Sequence, residues 1–221
     1  MANIVIIGSN RGIGLEMVKQ LTARGDTVHA TCRTSSPALD AVEGATVHSG
    51  VDVTAADTLR ALAERLGPDS LDVAVVVAGV LRGTSLANLD ADMIRNQFEV
   101  NALGPLMATS ALLGCVRDGG KVALLTSRMG SIADNTSGGS YAYRMSKAAL
   151  NMAARSLSHD LRPREIAVSL LHPGWVRTDM TGNTGHLDAD EAAAGLIARI
   201  DEVTLETSGV FFHQNGERLP W

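Results

Sequence analysis

The sequence predicts an α/β chain: a doubly wound parallel sheet of about seven strands with helices on both faces. Three observations carry this. Apolar runs of strand length alternate with helical stretches from one end of the chain to the other. Runs such as "AVVVA" at 74–78 are apolar at every position, as strands are when helices cover both faces of a sheet. A glycine-rich turn, "GSNRGIG" at 8–14, closes the first strand and opens the first helix. No linker or repeat interrupts the alternation, so residues 1–221 read as one domain.

The elements follow in order. "NIVIIG" (3–8) is a strand and 12–24 a helix. "TVHATC" (27–32) is a strand, with a short helix near 36–42. "TVHSGV" (46–51) is a strand and "TAADTLRALAERLG" (54–67) an amphipathic helix. "DVAVVVAG" (72–79) is a strand, followed by a long helical stretch over 90–116. "KVALLTS" (121–127) is a strand, and a polar loop leads to a helix over 140–161, which Pro163 closes. "IAVSLLHPG" (166–174) is a strand, 188–200 a helix, and "GVFFHQNG" (209–216) the last strand. Parallel strands joined by right-handed crossovers are the economical way to connect such a series.

Composition narrows the function. The net charge is −5 with no basic run, which argues against nucleic acid or an anionic membrane as partner. The longest apolar runs are too short to span a bilayer, and "MANIVIIGSN" lacks the basic start of a signal peptide. The two cysteines, Cys32 and Cys115, make no metal spacing and read as packed small hydrophobes, so no metal is expected and a reducing cytoplasm is the expected home.

The glycine turn has the right context for a dinucleotide. Gly8 allows a tight turn, Gly12 a close approach to a pyrophosphate, and Gly14 close packing of helix on sheet. The N–H groups opening the helix would face the phosphates. At the end of the second strand, "TCRTSS" offers Arg33, Thr34 and Ser35 and no carboxylate, which suits a 2′-phosphate and hence NADP(H) over NAD(H). Arg11 would add a second cation. Asp52 is placed either to meet the adenine ring or to cap the helix starting near 54.

Both tyrosines of the chain lie in "GGSYAYRMSKAALN" (138–151). On a helix, four residues return nearly to the same face, so Tyr143 shares a face with Lys147 and Tyr141 does not. A tyrosine acting as a proton donor or acceptor here is therefore Tyr143. Its ordinary pKa near ~10 would have to fall by about 2–3 units, requiring roughly 3–4 kcal/mol, for easy reversible transfer. A lysine ammonium and the charge of an oxidised nicotinamide favour that direction.

Taken together, "GSNRGIG", "DV" at 52–53, "AG" at 78–79, "VNALGP" at 100–105, "LLTSRMGS" at 124–131, "YRMSK" at 143–147 and "HPGWVRTDM" at 172–180 resemble a classical short-chain dehydrogenase/reductase over nearly the whole chain. "YRMSK", "PGWVRTDM" and the ending "GERLPW" are similar to the branch containing the C-factor proteins and sniffer-type carbonyl reductases. The resemblance implies a Rossmann-type sheet ordered 3-2-1-4-5-6-7 and hydride transfer between NADP(H) and a carbonyl or alcohol. It places a catalytic tetrad at Asn101, Ser127, Tyr143 and Lys147. In it Tyr143 is general acid and base, Ser127 donates to the carbonyl oxygen, Lys147 grips the cofactor ribose, and Asn101 holds a water leading protons to Lys147. It places the cofactor against Gly8, Asn10, Arg11, Gly12, Ile13, Gly14, Arg33, Asp52, Val53, Ala78 and Gly79, against Tyr143 and Lys147, and against Pro173, Gly174, Val176 and Thr178.

The chain departs from the family pattern in three places. Ile7 stands where threonine is usual, Val76-Val77 stand where two asparagines are usual, and the interval from Ser127 to Tyr143 is longer than usual. Met129, Asn135, Trp175 and Met180 are candidate pocket walls, and the short segment after Met180 suggests an open cleft for small or varied carbonyls. His172 reads as structural. Helices 90–116 and 140–161 could pack on a second copy as a homodimer or homotetramer. The competing reading is a dinucleotide-binding signalling or regulatory protein with little turnover.

Overall fold

A computed structural model describes residues 1–221. Seven parallel strands form a single sheet in the order β3-β2-β1-β4-β5-β6-β7. They are β1 (Asn3–Ile7), β2 (Thr27–Thr31), β3 (Ala45–His48), β4 (Leu71–Val76), β5 (Val116–Leu125), β6 (Ala167–His172) and β7 (Phe211–His213). The helices between them are α1 (Gly12–Ala23), α2 (Pro37–Asp40), α3 (Ala56–Leu66), α4 (Ala91–Phe98), α5 (Gly104–Leu112), α6 (Tyr141–Asp160) and α7 (Ala189–Glu202). This is the Rossmann-type architecture expected from the sequence.

The period-two geometry of a strand splits the core into two layers. Val5, Ile7, Ala74 and Val76 point to one face, where Leu59, Leu62, Ala108, Leu112, Leu150 and Ala154 of α3, α5 and α6 cover them. Ile4, Ile6, Val73 and Val75 point to the other, under Leu15, Val18, Leu21, Leu196 and Ile200 of α1 and α7. With 23 buried residues in one layer and 19 in the other, neither face of the sheet is left to solvent. Cys32 and Cys115 are both free and buried, one in each layer.

The sequence reading needs correcting at 90–116, which is not one helix. α4 and α5 are separated by a π-helical turn, Glu99–Leu103, and α5 stops at Leu112. β5 then begins at Val116, five residues earlier than its apolar pattern suggests, because Val116 pairs with Leu71 before a bulge restores the register at Val73 and Lys121. The charged segment "RDGG" hides this start: polarity reads as loop, while backbone pairing makes it strand.

After β1 the chain winds outward through β2 and β3, then returns to the centre at β4 and winds the other way. The turns after β1 and β4 consequently diverge at the C-terminal edge of the sheet, the place where doubly wound sheets open a crevice.

Candidate active site

The glycine turn occupies one wall of that crevice. Gly8 has φ +98°, and a Cβ there would lie 2.9 Å from the backbone nitrogen of Ala78. A Cβ on Gly14 would overlap the Gly8 carbonyl oxygen, so α1 can start this close to β1 only without a side chain. The residue before α1, Arg11, is extended and offers no side-chain cap, so the first N–H groups of the helix, at Gly12, Ile13 and Gly14, face outward without a side-chain acceptor. A pyrophosphate fits this cradle. Asn10 donates from its side chain to the Thr34 carbonyl at 3.3 Å, tying the turn to the end of β2. From the far side, the Thr178 methyl reaches to within 3.4 Å of where a Cβ of Gly12 would sit. The segment Pro173–Thr178 therefore closes over the glycine turn, with Val176 buried and Gly174 against Leu187 and His213.

The charged residues assigned to the cofactor are placed less simply. Arg33 is exposed at the end of β2 with Asp52 at 4.0 Å. Arg11, itself largely exposed, pairs with Asp179 at 3.3 Å. Asp52 does not cap α3, which starts at Ala56 after an uncapped Ala55. Its carboxylate instead accepts from the Thr54 N–H at 2.9 Å and hydroxyl at 2.8 Å. Burial pushes this carboxyl up, but the Thr54 bonds and the Arg33 charge outweigh it and hold it below its ordinary value. Val53 turns into the core, where its side chain fills the space that a Cβ on Gly104 would need.

The four residues of the expected tetrad come together around the end of β5 and the first turns of α6. Tyr143, Lys147, Ser127 and Asn101 are all buried, at 8, 4, 7 and 0 % exposure. Tyr143 and Lys147 lie on the inner face of α6, the lysine nitrogen 5.9 Å from the centre of the tyrosine ring. The Ser127 hydroxyl lies on the phenol side and acts to lower its pKa. It also accepts from the Met129 N–H at 3.2 Å. Ala78 and Gly79 continue β4 toward this group, and a Cβ on Gly79 would lie 3.3 Å from Asn101 Oδ1 and 3.7 Å from Lys147 Nζ.

One expectation changes on these contacts. Lys147 donates to the Leu125 carbonyl at 2.9 Å, and burial pushes its pKa down to about 8. The Tyr143 phenol is raised by burial, which outweighs the lowering by Ser127, so the protein gives it no net lowering. The Asn101 amide, in the π turn, makes three hydrogen bonds. Its oxygen accepts from the Val80 N–H at 2.7 Å, and its nitrogen donates to the Val80 carbonyl at 2.8 Å and to Ser146 Oγ at 3.1 Å. A side chain so placed pins the turn after β4 to α6, and its oxygen keeps a second lone pair. π turns of this kind recur at functional sites because the widened turn re-aims one side chain.

Other residues that build the site gave no signal in the sequence. Thr84, in the loop after β4, caps α6 from outside: its hydroxyl accepts from the Ala142 N–H at 3.1 Å and its carbonyl from the Ser140 N–H at 2.7 Å. The residue preceding α6, Ser140, offers no side-chain cap and sits at φ +46°. Asn151 accepts from the Thr126 hydroxyl at 2.5 Å, fixing the end of β5 on α6. His172 packs edge-on against His213, ring centres 5.0 Å apart, and burial pushes its pKa down to about 3. It is a neutral, packed ring, as expected. Of the proposed pocket walls, Trp175 and Met180 are partly exposed and Trp175 donates to the Thr184 carbonyl at 2.9 Å.

Comparison with known proteins places the chain among dehydrogenases and carbonyl reductases in sequence and fold. Residues 2–188 match the family model described as short chain dehydrogenase. The chain is 44 % identical over 227 residues to 1-hydroxy-2-glutathionyl-2-methyl-3-butene dehydrogenase of Rhodococcus sp. (strain AD45), covering all of both chains. It is 50 % identical over 167 residues to C-signal of Myxococcus xanthus, covering 74 % of this chain and all of that one. Among solved structures it superposes on the carbonyl reductase Sniffer of D. melanogaster with a TM-score of 0.93 and 29 % identity, over the full length of both. A carbonyl reductase from Pseudomonas aeruginosa PAO1 in complex with NADP gives 0.88 and 35 %, again over both full lengths.

Proposed function

The chain belongs to the short-chain dehydrogenase family, and on that premise we propose that it transfers hydride between NADP(H) and a carbonyl or alcohol substrate, with Tyr143 as general acid and base. The observation that supports this most directly is the buried trio of Ser127, Tyr143 and Lys147, gathered beside the glycine turn. NADPH, when bound, supplies the hydride.

The protein's part is to hold the carbonyl and supply its proton. The phenol stays protonated at neutral pH because burial raises it, and it is therefore poised to donate as the substrate oxygen gains charge. The Ser127 hydroxyl, on the same side as the phenol, would stabilise that oxygen. Lys147, charged below about pH 8, adds positive charge beneath the tyrosine and is placed near Gly79 to reach a ribose. Gly8, Asn10, Gly12, Ile13 and Gly14 would take the pyrophosphate. Arg33, next to Ser35, would take a 2′-phosphate, its pairing with Asp52 at 4.0 Å being long enough to exchange. NADP bound to the Pseudomonas reductase supports the same choice.

The Rhodococcus relative acts, by its name, on an alcohol carrying a glutathionyl group. The substrate panel therefore includes a glutathione-conjugated alcohol and aldehyde beside simple ketones, aldehydes and quinones. Turnover of at least one of these is expected, NADPH reducing the carbonyls and NADP+ accepting hydride from the alcohol, with Tyr143→Phe losing about 10²-fold or more while NADPH binding persists. Tyr141→Phe should stay active. A second reading, a dinucleotide-binding signalling protein, draws on the likeness to C-signal. Tight NADPH binding with no turnover across the whole panel would favour it.

A further inference from the structure

The segment 132–139, between Ser127 and α6, is held to the rest of the molecule by few ties. Most of its hydrogen bonds are local: Asp134 N–H to Ser131 Oγ, Thr136 N–H to the Asp134 carbonyl, and Gly138 N–H to Asn135 Oδ1. Two ties lead to the C-terminal tail. The Ala133 N–H donates to the Trp221 carbonyl at 2.8 Å. Asp134 pairs with Arg128 at 3.4 Å, and Arg128 is itself held by Glu217 at 2.8 Å. The remaining tie is Arg144. Its Nε donates to the Gly138 carbonyl at 3.3 Å, and one terminal nitrogen to Ser137 Oγ at 2.9 Å. The other terminal nitrogen reaches the Met129 carbonyl at 3.5 Å.

Of the hydrogen bonds that leave 132–139, those from Arg144 alone reach α6. Arg144 is the neighbour of Tyr143, and Met129 is the residue whose N–H bonds Ser127. One planar guanidinium therefore touches both ends of the loop from the helix that carries the phenol. No carboxylate lies within ion-pair distance of it, so its donors are spent on loop acceptors. Next to it Gly138, Gly139 and Ser140 follow one another at φ +64°, +66° and +46°, a path with no side-chain cap of its own on α6. The fork geometry of arginine suits three fixed acceptors, which a lysine cannot satisfy together.

We propose that Arg144 is a positioning residue that fixes the wall formed by residues 129–139 against the helix of Tyr143 and so sets substrate selection. The proposal rests on the oxidoreductase reading for its kinetic consequence, and on the loop contacts alone for its structural one. It predicts that cofactor binding, which uses the glycine turn on the other wall, is independent of Arg144.

The test compares wild type, Arg144→Met and Arg144→Lys by amide hydrogen exchange of 131–140, by NADPH Kd, and by KM and kcat on the best substrate of the panel. In Arg144→Met, exchange of the loop amides should rise about tenfold or more, while α6 beyond Leu150 is unchanged. KM should rise about tenfold with a smaller change in kcat, and NADPH Kd should stay within about twofold. Arg144→Lys should fall between the two. If Arg144→Met fails to fold, the lysine variant is judged by the same criteria. Unchanged loop exchange overturns the proposal, as does a loss of NADPH affinity as large as the rise in KM. If wild type turns nothing over but the loop loosens as described, the oxidoreductase reading fails and the clamp itself stands.

Discussion

Lys147 shows how one residue's surroundings divide its roles. Its stem is buried between β5 and α6, its nitrogen bonds the Leu125 carbonyl, and burial lowers its pKa to about 8. Below that pH the amine is charged; above it the amine is neutral and the positive charge under Tyr143 is gone. Because burial also holds the phenol protonated, loss of that charge removes support for the developing tyrosinate. We therefore predict that kcat/KM for carbonyl reduction falls as pH rises through about 8, since that ratio reports the free enzyme. Lys147→Arg, which keeps its charge, should move the fall to higher pH; a pH–rate profile identical to wild type in that variant would assign the limb to another group. Tyr143 itself could be chosen from helix periodicity, but the sign of its shift could not, because the shift depends on desolvation by residues far away in sequence.

At the scale of elements, the site depends on how closely two turns approach. α1 begins against the Gly8 carbonyl, and β4 ends against Gly8 through Ala78. Gly14→Ala would drive a methyl into that carbonyl and should destabilise the fold by roughly 3 kcal/mol or more, read as a lowered Tm with loss of NADPH binding. Gly114→Ala, where a Cβ meets nothing within 4 Å, should change stability by no more than about 0.5 kcal/mol. Equal effects of the two would mean that turn packing is not what fixes the site. The break between α4 and α5 belongs to the same scale. Asn101 clamps Val80 only because the π turn swings it toward β4. With Val76 and Val77 in place of asparagines, β4 stays apolar in both core layers, and the polar bracing of its following turn falls to Asn101 and to Gln97, which accepts from the Arg82 N–H at 2.9 Å.

For the molecule as a whole, Phe98, Leu103, Met107, Met145 and Met152 are exposed on α4, on the turn after it, and on α5 and α6. These elements pack against one another, so their outer side is an apolar face that a second copy would cover. We predict sedimentation of the wild type as a dimer or tetramer, with Met152→Glu shifted toward monomer and Tm lowered in parallel. A wild type that sediments as a monomer at all concentrations would remove this assignment. No helix is long and apolar enough to cross a membrane, so that face is not a spanning segment.

The sequence by itself determined the alternation of strands and helices, the glycine turn, and that Tyr143 shares the face of Lys147. Each of these follows from local periodicity or from a residue type that only one backbone geometry requires. Tertiary structure alone decided that Arg11 meets Asp179, that Asn101 bridges Val80 and Ser146, and that Thr84 caps α6. These are hydrogen bonds and charge pairs between groups mostly distant along the chain. No local pattern encodes such partners, because they become neighbours only when the hydrophobic layers stack the sheet and helices together.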